Sequence, residues 1–216
     1  MAYTLPNGST VDMVATFDTA VPITSISNAA PAVVSSVAHG LTAGDIILVT
    51  SGWSKLNNRA FKVGTVTADT FQILDTDTTN VTTYPAGAGV GTVKAAATYV
   101  QIPQITGFDL TGGELSFLDV QFLESDSVIQ IPTVKSALAL TMTVADDPSQ
   151  QYIPVVRAAD ETRAIQVLRL NLVDGTSILY PSIVTFTNSP TVAINELLGG
   201  TITAAIQGLP TRYERD

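Results

Sequence analysis

The chain has one histidine, His39, and no cysteine. Any serine nucleophile activated by an imidazole would have to use His39, and no Gly-x-Ser-x-Gly elbow is present to present one. The lack of cysteine removes thiolate nucleophiles, disulfide frameworks and cysteine-based zinc sites together. His39 sits before Gly40, between two apolar runs, and reads as a turn histidine. Asp75-Thr76-Asp77-Thr78-Thr79 has the one-three-five oxygen spacing of a calcium loop, but the sixth and twelfth positions are Asn80 and Ala86 instead of Gly and Glu. It reads as a solvated polar loop. Gly87-Ala88-Gly89-Val90-Gly91 imitates part of a dinucleotide fingerprint, yet a strand pattern, Thr92-Val93-Lys94, follows where a helix is needed. Asp146-Asp147 and Asp160-Glu161 are paired acids, and adjacent carboxylates on one segment do not face each other across a glycosidic bond. They read as turn and helix-end residues. The residues therefore assign no catalytic, cofactor-binding or metal-binding position, and the chain is expected to be no enzyme and to carry no cofactor.

The elements that hold these residues are strands. Of 216 residues only 13% are charged, about half the usual share, while 30 are Thr and 15 are Ser. β-branched Thr suits a pleated surface and disfavours helix, so the composition points to an all-β protein. A surface poor in Lys and Glu also suits burial against other subunits. The net charge is −9 with no run of Lys or Arg, which argues against a conventional nucleic-acid-binding module. No apolar run approaches the roughly 18 residues of a membrane helix. The start, MAYTLPNGST, lacks the basic and apolar regions of a secretory signal, so a soluble protein made in a cytosol is expected.

Residues 1–29 read as irregular, with one possible strand at 11–17. Residues 31–94 read as a compact unit of five or six short strands, a small barrel or roll, with turns at Gly40 and Gly44 and period-two alternation at 61–66 and 70–74. Its charges sum to zero, so the rest of the chain carries the whole surplus of acid. Beyond it, 99–105 is a strand, Gly112-Gly113 a turn, and 114–123 the start of a longer run. Residues 136–144 alternate with one apolar face, Leu138, Leu140, Met142 and Val144. Residues 149–160 hold the one good helix candidate, capped by Ser149, with Tyr152, Ile153, Val156 and Ala159 on one face. Pro154 predicts a kink or a late start. Strands at 164–173 and 176–187 flank the turn pair Asp174-Gly175. Residues 199–206 form the last strand, and 212–216 are expected to fray.

Tyr99-Val100-Gln101-Ile102-Pro103-Gln104-Ile105-Thr106-Gly107-Phe108, the strand Ser136 to Val144 with its exit Asp146-Asp147-Pro148, and the helix and long hairpin after it follow the order found in long-tailed bacteriophage tail tube proteins, which residues 97–210 resemble. Ala38-His39-Gly40-Leu41, Gly44-Asp45, Leu56-Asn57, Arg59, Phe61 and Asp69-Thr70-Phe71 are similar to a small β module of many phage structural proteins. The resemblance implies a β-sandwich flanked by one short helix (residues 1–30 and 95–216), with the module (31–94) inserted as a small barrel-like domain. It implies a virion protein, assembled in the host bacterial cytoplasm, that forms homohexameric rings. The rings stack into a hollow tail tube through which duplex DNA passes without specific binding. The implied partners are the chain itself and the tape measure, tail terminator and tail tip proteins, with no membrane. An acidic bore would repel phosphate. The competing reading is a two-domain β binding module, an adhesin or receptor-binding piece of a phage or cell-surface appendage. One Trp and six Tyr are few for a carbohydrate binder.

Overall fold

The computed structural model describes residues 7–191 and 198–215. The first half runs β1 (Thr10–Phe17), β2 (Val21–Ile23), β3 (Ser25–Ile26), β4 (Ala32–Ser35), β5 (Ile46–Ser51), β6 (Arg59–Val66), β7 (Thr70–Ile73) and β8 (Gly91–Ile102). The second half runs β9 (Ile105–Thr111), β10 (Leu115–Val120), β11 (Ile129–Lys135), β12 (Ala139–Ala145), helix α1 (Tyr152–Thr162), β13 (Ile165–Asn171), β14 (Ser177–Thr191), β15 (Gly199–Ile206) and β16 (Thr211–Tyr213). The all-β expectation holds, and α1 is the only helix among the described residues. Fourteen strands share one antiparallel sheet, twelve of them along a continuous hydrogen-bonded path with β2 paired beside it to β8 and β16 to β14, while β10 and β11 pair only with each other.

The path is rolled twice. In the order β8-β1-β13-β14-β15-β12-β9, the end strands β8 and β9 are separated in sequence only by Pro103 and Gln104. So short a link spans about 10 Å at most, and the seven strands must curl until their ends meet. The period-two apolar faces line the inside: Met13, Ile102, Leu140, Met142, Leu168, Val184 and Ile202 form one core. Helix α1 adds Tyr152, Ile153, Val156 and Ala159 to it, the four residues expected from their spacing. The second roll closes the same way. Its order is β2-β8-β5-β6-β7-β4-β3, and only Thr24 separates β2 from β3. Ile47, Trp53, Leu56, Phe61, Phe71 and Ile73 fill this smaller barrel.

Several expectations need correction. The border at 94/95 falls inside β8, whose first half pairs with β2 and β5 and whose second half pairs with β1. One sheet therefore runs through both parts, because a single long strand serves both rolls. The smaller roll also starts near Val21, since Ile23 and Ile26 belong to its core. Residues 18–29, read as irregular, thus contain β2 and β3; residues 1–6 lie outside the description. A third cluster, Val14, Ile46, Leu48, Ala60, Val167, Leu179 and Tyr213, joins the rolls. Tyr213 lies in the tail expected to fray, but β16 pairs with β14 and the Tyr213 hydroxyl accepts a hydrogen bond from the Lys62 amide at 2.9 Å. Asp216 lies outside the description.

Two turns also differ in detail. Ser149 does not cap α1; its amide and hydroxyl both donate to Asp147 Oδ1, at 3.1 and 2.7 Å. The helix starts late, at Tyr152, which puts Pro154 in the first turn, where no N–H is needed. The β13–β14 loop has three residues, not two: Gly175 N–H donates to Leu172 O, Leu172 N–H donates to Thr176 O, and Gly175 takes the positive φ of 89°. This is the turn-plus-bulge form of hairpin, completed by the Thr176 amide donating to Asp174 Oδ1 at 2.8 Å.

Candidate functional site

The residues singled out for chemistry are spread over the molecule and hold local structure. His39 is buried; its Nδ1 accepts from the Leu41 amide at 3.0 Å, which leaves Nε2–H to donate to Thr67 O at 3.1 Å. Its ring stands edge-on to Phe71. Asp77 accepts from both the amide and the hydroxyl of Thr79, which lowers its pKa, and Thr78 turns inward to donate to Ser27 O. The oxygens of this loop do not converge. Gly91 opens β8 so close to the Thr50 carbonyl that no side chain would fit. Hydrogen bonds from Ser149 and Gln150 hold the Asp147 carboxyl below the usual carboxylate range. Asp160 and Glu161 lie near the end of α1.

The feature that stands apart is the β10–β11 hairpin. Gly112 and Gly113, at φ of 88° and 79°, turn the chain out of β9, and Gly112 lies so close to the Ala137 carbonyl that a Cβ would collide with it. The neck is pinned where Ser136 N–H donates to Glu114 O at 2.8 Å and Glu114 N–H donates to Ser136 Oγ at 3.0 Å. Beyond it, Leu118 opposes Ile131 and Val120 opposes Ile129, while Phe117 opposes Pro132 and Asp119 opposes Gln130. Side chains alternate across a strand, so toward the tip the Leu118–Ile131 and Val120–Ile129 pairs make one face apolar, while the other is mixed. Among the described residues no other element pairs with the hairpin. Phe117, Leu118, Ile129 and Ile131 are 53, 56, 49 and 47% exposed, and Leu123 at the tip is fully exposed.

An isolated two-stranded hairpin is marginal in water, and contiguous exposed apolar surface of this kind marks a surface that another molecule covers. The run that begins at 114–123 is strand only as far as Val120, and the chain then reverses through Glu124-Ser125-Asp126-Ser127 into β11. That polar cluster between two apolar runs is a hairpin signal, but nothing in the pattern says that the runs stay outside the core.

A complete core with one uncovered apolar arm defines a protein of the assembling, structural class. A family model described as phage tail tube protein, TTP, matches residues 51–215. The chain belongs to that family and is a phage tail structural protein. The match begins at the end of β5, inside the smaller roll, and runs through both rolls. Among solved structures, the cap that terminates the tube of the anti-feeding prophage, determined by cryo-EM, matches with 16% identity, 53% of this chain, 83% of that chain and a TM-score of 0.37. No curated protein matches.

Proposed function

We propose that the chain is the repeating subunit of a tail tube, and that the β10–β11 arm packs on neighbouring copies as it assembles. The observation that carries this reading is the arm's exposed apolar residues, Leu118, Ile129 and Ile131, on a subunit whose own cores are closed without them. Six copies form a ring, rings stack, and the hollow stack conducts DNA at ejection. Tape measure, terminator and tip proteins are its partners in the virion tail, which assembles in the host cytoplasm. The role is mechanical and non-enzymatic. The surplus of acid outside the smaller roll suits a bore through which phosphate slides without gripping.

The same reading divides the labour between the rolls. The larger roll, with α1 and the arm, builds the tube, and the smaller roll is a rigid lobe on it. The shared strand β8 and the joint core support a lobe held in one orientation. The test is to replace residues 115–135 by a short Gly/Ser turn and image concentrated protein by negative stain. Native protein should give rings or hollow tubes, and the shortened protein should remain folded and monomeric. Tubes formed without the arm would end this reading.

A further inference from the structure

At the base of the arm lies a cleft of about 420 Å³ whose lining brings together Lys55 and Arg59 from the smaller roll and Lys135 from β11. These are three of only ten basic residues in a chain of net charge −9. No carboxylate lines the cleft. Among the described residues the one ion pair is Asp12–Arg169, so none of the three cations has an acidic partner there. Arg59 donates to neutral oxygens, Leu209 O, Lys55 O and Thr211 Oγ1, at 3.1 to 3.3 Å. Its burial pulls the guanidinium pKa down from the ordinary value. Leu138, Ile206 and Leu209 supply the cleft's apolar part. The cleft is therefore shaped for a group that is both acidic and apolar.

The arm's tip has that composition. Phe122 and Leu123 are exposed beside Glu124 and Asp126. A hairpin cannot reach its own base. The six residues of β10 hold the tip about 20 Å away from it at roughly 3.4 Å per residue, so the tip available to the cleft belongs to another molecule.

We propose that the arm tip of one copy seats in the Lys55–Arg59–Lys135 cleft of the next, Glu124 and Asp126 toward the cations and Phe122 and Leu123 toward Leu138, Ile206 and Leu209. This rests on the tube-subunit reading and names the surface that receives the arm. Tip and cleft are different surfaces, so the contact is head-to-tail. Repeated, it closes a ring or extends a filament. Charge complementarity sets the register of such a contact, and like charge opposes it.

Two variants test it. Variant A carries Lys55→Glu and Lys135→Glu, making both its cleft and its tip acidic. Variant B carries Glu124→Lys and Asp126→Lys, making both basic. Each alone should remain folded by circular dichroism and lose assembly by roughly tenfold or more in sedimentation. Mixed one to one, each tip meets a cleft of opposite sign, and assembly should return as an alternating polymer. Assembly of A or B alone at the native level would overturn the proposal, as would failure of the mixture to assemble. If A assembled normally while native assemblies, but not A assemblies, retained duplex DNA, the cleft would be a phosphate site and the proposal equally wrong. Native protein that never assembles would instead defeat the underlying tube reading.

Discussion

Asp12 and Arg169 stand directly opposite each other on β1 and β13, and Arg169 Nη2 lies 2.8 Å from Asp12 Oδ2. Met13 and Leu168, their neighbours along the strands, point into the core, so this pair lies on the other face. Asn171 Nδ2 also donates to Asp12 Oδ2, at 2.7 Å, and the guanidinium rests over the Tyr99 ring, 4.4 Å from its centre. A one-residue slip of β1 would break the network and turn Met13 outward. Because β1 lies between β8 and β13, its register holds the larger roll against the strand shared with the smaller one.

Asp12→Ala leaves a half-buried guanidinium without its acceptor and the Asn171 amide with only Thr10 Oγ1. We expect a loss of about 1–3 kcal/mol in urea unfolding, and a smaller loss in the double variant with Arg169→Ala, since that removes the orphaned charge. A coupling energy near zero from the double-mutant cycle would show that the pair does not act as a unit.

Burial pushes the Tyr213 hydroxyl up to about 12, against about 10 for an unfolded tyrosine. Below pH 10 both states are protonated and the contribution is fully present. Above it the unfolded chain loses its proton first, so stability falls by about 2–3 kcal/mol between pH 10 and 12. Tyr99, Tyr152 and Tyr180 are shifted upward by burial too and add to the fall. Tyr213→Phe should lower stability by about 1 kcal/mol at pH 8, through the unpartnered Lys62 amide. It should also flatten the alkaline slope, as read by denaturant midpoints at pH 9, 10, 11 and 12. An unchanged slope would count against the burial of this hydroxyl.

Val156 is fully buried at the centre of the contact between α1 and the larger roll. Val156→Ala should cost about 1–3 kcal/mol by lost burial and the cavity left behind. Glu161→Ala on the exposed side of the helix should stay within about 0.5 kcal/mol. Thermal unfolding of the two variants distinguishes a packed helix from one merely resting on the sheet.

If residues 31–94 were an independent inserted module, their deletion would spare assembly. The joint core changes that outcome: without Ile46, Leu48 and Ala60, the residues Val14, Val167, Leu179 and Tyr213 lose their cover, and β8 loses its first strand pairs. The deletion should give a protein that aggregates or unfolds without a cooperative transition. A soluble, cooperatively folding product that still forms tubes would show that the larger roll is self-sufficient.

Local pattern by itself determined much of this protein. Period-two alternation marked Leu140, Met142 and Val144 as one buried face, and the three-and-four spacing of Tyr152, Ile153, Val156 and Ala159 marked the only described helix. The Thr-rich, charge-poor composition identified the all-β class, and the order of elements after Tyr99 carried the resemblance to tail tube proteins. These features are legible because strand and helix periods are written along the chain. What lies between strands distant in sequence was decided only by the tertiary structure. An apolar residue at a given spacing reads as core, and only the roll of the sheet shows that Leu118 and Ile131 stay outside while Leu140 goes in. The sequence has no basic run, but Lys55 and Lys135 are brought to one cleft with Arg59 by the closing of two rolls about a shared strand. That juxtaposition depends on strand order and curvature, which alternation along a single strand does not encode.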